Sequence, residues 1–287
     1  MKTPDKAKPK ILVVLGPTAT GKSDLAVKLA LKYNGEIISA DSRQVYRGMD
    51  LGSGKITKEE MKGVPHHLLD VADPTEDFSV EKYCDLAEKK IQEILNRNRL
   101  PIICGGTGFY IDTLISGLRL PKVPPNKKLP NKLEQKTASE LFEHLKKLDP
   151  ERASTIDKHN KVRLVRALEI AESLGTVPKI STSIKYCPEY IGLDWPDLAL
   201  KERIRARLER RLEASMVAEV KRLHDSGVSY ERLESFGLEY KNCALFLQNK
   251  IGEVEMIENI LKETWQYVKR QRTWFKRNKN IKWQIKM

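Results

Sequence analysis

The stretch ILVVLGPTATGKSDLAVKLA, residues 11–30, decides the fold. Its first five residues are apolar and three are β-branched, the composition of a strand buried on both faces. A small-residue turn follows, and residues 22–33 carry apolar side chains at helical spacing. Gly16, Pro17, Thr18, Ala19, Thr20, Gly21, Lys22 and Ser23 fit G-x-x-x-x-G-K-[ST] in the strand–turn–helix context the motif requires. Small residues let backbone N–H groups wrap an anion, and the helix N-terminus adds partial positive charge. Lys22 neutralises phosphate oxygens, and Ser23 can hold Mg²⁺.

Working outward, strands are predicted at 36–40 (EIISA) and 101–104 (PIIC), and helices at 79–97 and 107–116. Strands alternating with helices imply right-handed crossovers and a parallel sheet, an α/β fold whose functional edge lies at the strand C-termini. Two more motifs fall at such ends. In ISADSRQVYRGMDLGSGK, Asp41 closes a strand beside the phosphate loop; its carboxylate can hold Mg²⁺, pair with a neighbour or act as general base. In IICGGTGFY, Gly105, Gly106 and Thr107 form a turn whose glycines permit close approach of ligand or backbone.

At Pro121 the composition turns rich in proline and lysine, and helices are predicted over 134–148 and 159–174. A strand returning to the core is expected within GTVPKISTSIKYCPEYIGLDWP, 175–196, followed by long helical patterns at 197–225 and 253–277. The expected organisation is a P-loop NTPase-like parallel sheet core begun by 1–120, a helical insertion domain at 121–199, and C-terminal helices at 200–287 that return to the core.

Net charge is +13, and it is unevenly spread: residues 1–120 hold 18 Lys+Arg against 16 Asp+Glu, the remainder 34 against 23. After Glu263 come eight basic residues, no acidic one, and Trp265, Tyr267, Trp274, Phe275 and Trp283 interleaved. A polyanionic partner is implied, since positive potential draws phosphate backbones and aromatic rings stack on unpaired bases; the bland reading is an amphipathic helix with a solvated basic face. No apolar run is long enough for a spanning helix and the first ten residues lack a secretory pattern, so a cytoplasmic protein is expected. Cys84, Cys104, Cys187 and Cys243 lie too far apart for a zinc or disulfide pattern and are expected as buried fillers. The pair His66 and His67 is expected in a structural or surface role.

The ordered set GPTATGKS, ISADSRQVYRGMDLGSGK, PHHLLDVADPTEDFSVEKY, GGTGFY, RLVRALEI and KRQRTWFKR resembles the bacterial tRNA isopentenyltransferase (dimethylallyltransferase) family over essentially the whole chain. The resemblance implies transfer of a dimethylallyl group from dimethylallyl diphosphate to the exocyclic N6 amine of the adenosine 3′ of the tRNA anticodon. On this reading the phosphate loop holds the diphosphate with Mg²⁺, and Asp41 is the general base. Thr107 matches the family threonine near the acceptor nucleotide. Ser42, Arg43 and Gln44 border a base flipped out of the anticodon loop, and Val162, Arg163, Leu164, Val165 and Arg166 form a second tRNA contact. Arg203 and Arg207, four apart on a helix, match the family's arginines, and either can reach the diphosphate. Ser215 and Met216 depart from the glycine and leucine usual in the family.

The anticodon stem-loop is the expected partner, no membrane association is expected, and nothing demands more than a monomer. A small-molecule P-loop kinase, an adenylate isopentenyltransferase and a non-catalytic RNA-binding protein are the alternatives. The basic aromatic C-terminal part argues against the first two, and the presence of Lys22, Ser23 and Asp41 against the third.

Overall fold

The computed structural model describes residues 8–118, 121, 123, 133, 135–178 and 181–285. It divides into two compact units, one of Met1–Gly117 with Ile184–Met287 and one of Leu118–Ser183.

The first unit is built on a sheet of six strands, all pairs parallel: β1 Lys10–Leu15, β2 Gly35–Ser39, β3 His66–His67, β4 Leu100–Gly105, β5 Cys187–Asp194 and β6 Lys282–Ile285. The order is β3-β2-β4-β1-β5-β6, so β1 is central, with Leu12 opposite Ile102 on one side and Val13 opposite Tyr190 on the other. Helices α1 Lys22–Tyr33, α2 Lys58–Met61, α3 Val80–Asn96 and α4 Gly108–Ser116 belong to the same half of the chain. Alternation along the strands splits the core in two. Ile11, Val13, Leu15, Ile38 and Ile103 pack with Tyr83, Ile91 and Ile94 of α3 and Ile111 and Leu114 of α4. Leu12, Val14, Ile37 and Ile102 pack with Ala26, Val27 and Ala30 of α1. Both faces are covered, which explains why these strands read as unbroken apolar runs.

Leu118–Ser183 has its own small core. Helices α5 Ala138–Leu148, α6 Pro150–Thr155 and α7 Lys161–Leu174 bury Leu141, Leu145, Leu164 and Leu168 together. Thr137 and Glu140 form a capping box at the start of α5, and Asp149 caps α6 through the Arg152 N–H at 2.9 Å while accepting from Val177 N–H at 2.7 Å. The insertion expected at 121–199 is therefore shorter at its C-terminal end: residues 184–199 fall in the first unit because β5 hydrogen-bonds along β1. Most of the proline- and lysine-rich stretch from 119 to 134 lies outside the described residues.

The single helical pattern expected at 197–225 is two helices, α8 Asp197–Glu213 and α9 Met216–Asp225. Ser215 breaks it with a left-handed φ of 71°, the conformation that glycine adopts without strain. Met216 is fully buried beside Val220, Leu233, Tyr240 and Met256. Helices α10 Tyr230–Ser235 and α11 Leu238–Leu247 and strands β3 and β6 have no counterpart in the sequence reading, and α12 Glu253–Phe275 agrees with it. Of the four cysteines, Cys104 and Cys243 are buried fillers as expected, whereas Cys187 is exposed on β5 and Cys84 is only partly covered. His67 Nε2 lies 2.6 Å from Glu36 Oε2, and His66 Nδ1 faces the Val64 carbonyl, so the pair serves two separate local contacts. No described helix is long and apolar enough to cross a membrane.

The loop after Met49 is pinned from beneath. Glu219, buried on α9, accepts from the N–H groups of Asp50, Leu51 and Gly52 at 3.2, 2.7 and 3.1 Å and from the Tyr240 hydroxyl at 2.8 Å. Tyr240 in turn accepts the Ser53 N–H at 3.1 Å. Replacing Glu219 by alanine strands buried donors, so Glu219→Ala is expected to cost about 3 kcal/mol or more in urea unfolding, whereas Glu219→Gln, which keeps an acceptor oxygen, should cost less.

Candidate functional site

The three sequence motifs meet because β1, β4 and β2 are neighbours and their C-terminal ends lie together. The phosphate loop leaves β1 and enters α1 at Gly21, whose φ of 86° turns the chain into the helix. Its peptides are held from outside the loop. Gln271 Oε1 accepts the Thr18 N–H at 3.0 Å, Arg203 Nε donates to the Ala19 carbonyl at 2.9 Å, and Trp195 Nε1 donates to the Thr20 carbonyl at 3.1 Å. Within the loop, Thr20 Oγ1 and Lys22 Nζ both donate to the Pro17 carbonyl, at 2.9 and 3.1 Å.

Positive charge converges beside this loop. Arg207 donates to Thr18 Oγ1 at 3.3 Å and to the Gly54 carbonyl at 3.1 Å, and Arg211 reaches the Gly52 carbonyl at 3.5 Å and Glu239 at 2.9 Å. Burial, with Arg211 adding like charge, pulls Arg207 down to about 10. Burial also lowers the Lys22 ammonium, and Arg207 adds to the effect. A bound anion would reverse both shifts, which is the electrostatic signature of an anion site. Both arginines expected from the sequence therefore lie at the loop, Arg203 on its outer carbonyl and Arg207 within the cationic cluster.

Asp41 follows β2. Its Oδ1 accepts from the N–H groups of Arg43 and Gln44 at 2.8 and 3.3 Å, which fixes the carboxylate by a turn of its own making. Thr107, at the end of β4, accepts the Ser42 N–H on Oγ1 at 3.1 Å. Gln44 bridges Ser39 and the Gly54 carbonyl, and Arg43 Nε donates to the Phe236 carbonyl at 2.8 Å. The Gly105–Gly106 turn is indeed a place of close approach, but the visitor is protein: a Cβ on Gly106 would sit 2.4 Å from Gln271 Nε2.

Two cavities meet at these residues. One of about 690 Å³ is lined by the phosphate loop, Ser23, Lys55, Arg203, Arg207 and Arg210. The other, of about 410 Å³, is lined by Ser42, Arg43, Phe236, Tyr267, Arg270 and Gln271. Thr18, Lys22, Asp41, Ser53 and Arg211 border both. An anion in the first and a planar acceptor in the second would face each other across Lys22 and Asp41.

Gln271, Tyr267, Glu219 and Glu239 are site residues that sequence reasoning does not single out. Tyr267 stands in the sequence only as one of several aromatics; its hydroxyl faces Thr107, and burial together with the Asp41 carboxylate pushes it up to about 12. The other aromatics of that segment serve packing more than display. Phe275 is in the core, Trp265 packs near Ala19 and Val268, and Trp274 donates to Asp112 at 2.7 Å, while Trp283 is exposed. Helix α7 divides the expected Val162–Arg166 patch. Val162 and Arg163 are exposed, Leu164 is fully buried, Val165 is half-buried, and Arg166 is bound to Glu169 at 2.9 Å and the Val123 carbonyl at 2.6 Å.

Any Mg²⁺ bound here would find Ser23 lining the cationic cavity, and no group of three or more acidic, histidine or cysteine side chains among the described residues forms a cage. That fits an ion held by one hydroxyl, water and substrate oxygens, the usual manner of Mg²⁺ with phosphates.

Residues 44–278 match the family model for IPP transferase. A tRNA dimethylallyltransferase 2 from Treponema denticola is 44% identical over 285 residues, covering 96% of this chain and 95% of the relative. A tRNA dimethylallyltransferase 1 from Geotalea uraniireducens is 40% identical over 267 residues, 93% and 88% of the two chains. Among solved structures, the tRNA isopentenylpyrophosphate transferase of Bacillus halodurans aligns with a TM-score of 0.73 at 37% identity over 97% of this chain and 90% of that one. A eukaryotic dimethylallyltransferase acting on tRNA aligns with a TM-score of 0.82 at 27% identity, covering 96% and 74%. With the family model spanning most of its length and relatives at this identity along nearly all of it, the chain belongs to the IPP transferase family.

Proposed function

We propose that this protein transfers the dimethylallyl group of dimethylallyl diphosphate to N6 of the adenosine 3′ of the anticodon in tRNA. The observation that carries the proposal is the pair of cavities bordered in common by Lys22 and Asp41, one lined by Arg203, Arg207 and Arg210 and the other by Ser42, Arg43 and Tyr267, in a member of this family. The anion seat supports a diphosphate as leaving group, and the acid beside it supports a nucleophile that must lose a proton.

An exocyclic adenine amine is a weak nucleophile because its lone pair is delocalised into the ring. Asp41 answers this as general base: N6 attacks C1 of the dimethylallyl group, the C1–O bond breaks, and the proton from N6 passes to the carboxylate. The two N–H bonds on Oδ1 orient that carboxylate, and among the described residues none falls on Oδ2. Lys22, Arg207 and the loop N–H groups take the charge that grows on the departing diphosphate. Ser23 would hold Mg²⁺, which supplies further positive charge to the same oxygens. Thr107, Ser42 and Arg43 line the acceptor side. Extracting the nucleotide from the anticodon loop costs least where it is unpaired.

The exposed Val162 and Arg163 of α7 and the exposed lysines of α12 and its sequel are proposed as contacts to the anticodon stem-loop. A small-molecule P-loop kinase would use the same loop, but membership of the IPP transferase family supports prenyl transfer over phosphoryl transfer. The protein is proposed to act as a monomer in the cytoplasm.

The direct test follows label from dimethylallyl diphosphate or from γ-labelled ATP in the presence of unmodified tRNA; isoprenoid label entering tRNA with ATP inert is expected, and phosphate transfer without prenylation would overturn the proposal. Asp41→Asn should lower single-turnover transfer by about 10²–10⁴-fold with tRNA affinity nearly unchanged, a range set by general-base catalysis. Lys22→Ala should raise the Kd for inorganic diphosphate in calorimetry more than tenfold, by about 1.4 kcal/mol or more, while leaving tRNA binding alone. Affinity for tRNA should fall steeply with salt, and Lys269→Ala with Lys276→Ala should flatten the log–log slope by about 0.7–0.9 for each RNA phosphate that is no longer neutralised.

A further inference from the structure

Gln271 takes no part in the bond-making and bond-breaking proposed above, yet it is the group that ties the two sides of the site together. It is 4% exposed on α12, on the buried side shared with Val268 and Phe275. Its side-chain amide is used at both ends: Oε1 accepts the Thr18 N–H of the phosphate loop at 3.0 Å, and Nε2 donates to the Gly106 carbonyl of the turn after β4 at 2.9 Å. The donor and acceptor assignment is complementary at each end, so the amide has one satisfied orientation. Glycine at 106 is what lets it in, since a Cβ there would lie 2.4 Å from Nε2.

The two loops bridged in this way serve opposite sides of the site. Thr18 also receives Arg207 on its hydroxyl, in the cationic cavity. Gly106 immediately precedes Thr107, which holds the Ser42 N–H next to Asp41. Carbon–nitrogen bond formation with an in-line leaving group depends on the distance and angle between those two sides. A misplacement of about 1 Å is enough to cost about 10²-fold in rate.

We infer that Gln271 is a positioning residue that fixes the phosphate loop relative to the Gly105–Thr107 turn, so that the donor's leaving group and the acceptor's attacking nitrogen are aligned. It acts through the two loops and not on the reacting atoms. It sets the geometry in which Lys22 and Asp41 work together, and the inference rests on the transferase reading given above.

The test separates alignment from binding. Gln271→Met removes both hydrogen bonds at similar length; Gln271→Glu keeps an acceptor for Thr18 and sets a second acceptor against the Gly106 carbonyl. Both are expected to lower kcat for transfer to tRNA by about 10²-fold, with KM for dimethylallyl diphosphate, KM for tRNA and the Kd of inorganic diphosphate all within about threefold of wild type. Gly106→Ala, which breaks the bridge from its other end, should show the same split. Wild-type kcat in Gln271→Met would overturn the inference, as would parallel losses in kcat and diphosphate affinity, which would make Gln271 part of the loop's own construction. A wild-type protein that binds diphosphate and prenylates no tRNA would overturn the transferase reading itself, an outcome distinct from either of these.

Discussion

Everything in this molecule accommodates one electrostatic constraint: several cations must be kept together, partly desolvated, beside a loop of backbone N–H groups. Left to themselves, Lys22, Arg207 and Arg211 would repel one another. The fold answers with neutral dipoles more than with counter-charges. Arg207 and Arg211 lean on the Gly54 and Gly52 carbonyls, and Lys22 on that of Pro17. Carbonyls can hold a guanidinium in place without neutralising it, so the positive potential remains for an anion. Glu239, which pairs with Arg211, and the nearby Asp41 are the counter-charges that remain beside the cluster.

This arrangement makes the segment 50–54 a hinge between two kinds of satisfaction. Its N–H groups are taken from below by Glu219 and Tyr240, and its carbonyls are offered above to the arginines. A peptide plane fixed on one edge is fixed on the other: Tyr240, holding the Ser53 N–H, aims the Gly52 carbonyl that Arg211 reaches, and the Lys55 N–H, bonded to the Asp50 carbonyl, aims the Gly54 carbonyl that Arg207 reaches. The same logic gives the DLGSG end of the second sequence motif a structural reason, since its N–H groups and its carbonyls both have partners.

How much of this is legible in the sequence follows from where the signals are local. The phosphate loop and the strands that end at Asp41 and before Thr107 are contiguous patterns of hydropathy and turn chemistry and are readable as such; the roles expected of Asp41 and Thr107 come from the resemblance. The two strands at the sheet edges are not, because His66–His67 is two residues long and Lys282–Ile285 only four, so the alternation of Trp283 and Ile285 with Lys282 and Gln284 is too short to stand apart from the basic segment around it. Gln271 and Glu219 are invisible for a different reason: apart from the Tyr240 hydroxyl on Glu219, their partners are backbone atoms far along the chain, which have no sequence signature. A strand returning to the core is expected within 175–196, yet the boundary of the insertion is set beyond it, because β5 begins with an exposed cysteine and a proline and its register with β1 has no sequence signature.

The bridge from Thr18 to Gln271 spans 253 residues of sequence. Contacts of such separation form only after large loops have closed, and closure entropy is met before the contact repays it. The phosphate loop's other outside ties, from Trp195 and Arg203, and the cations Arg207 and Arg211 come from the last third of the chain as well. The anion seat and the alignment of its two walls are therefore completed by the same late-synthesised part of the chain.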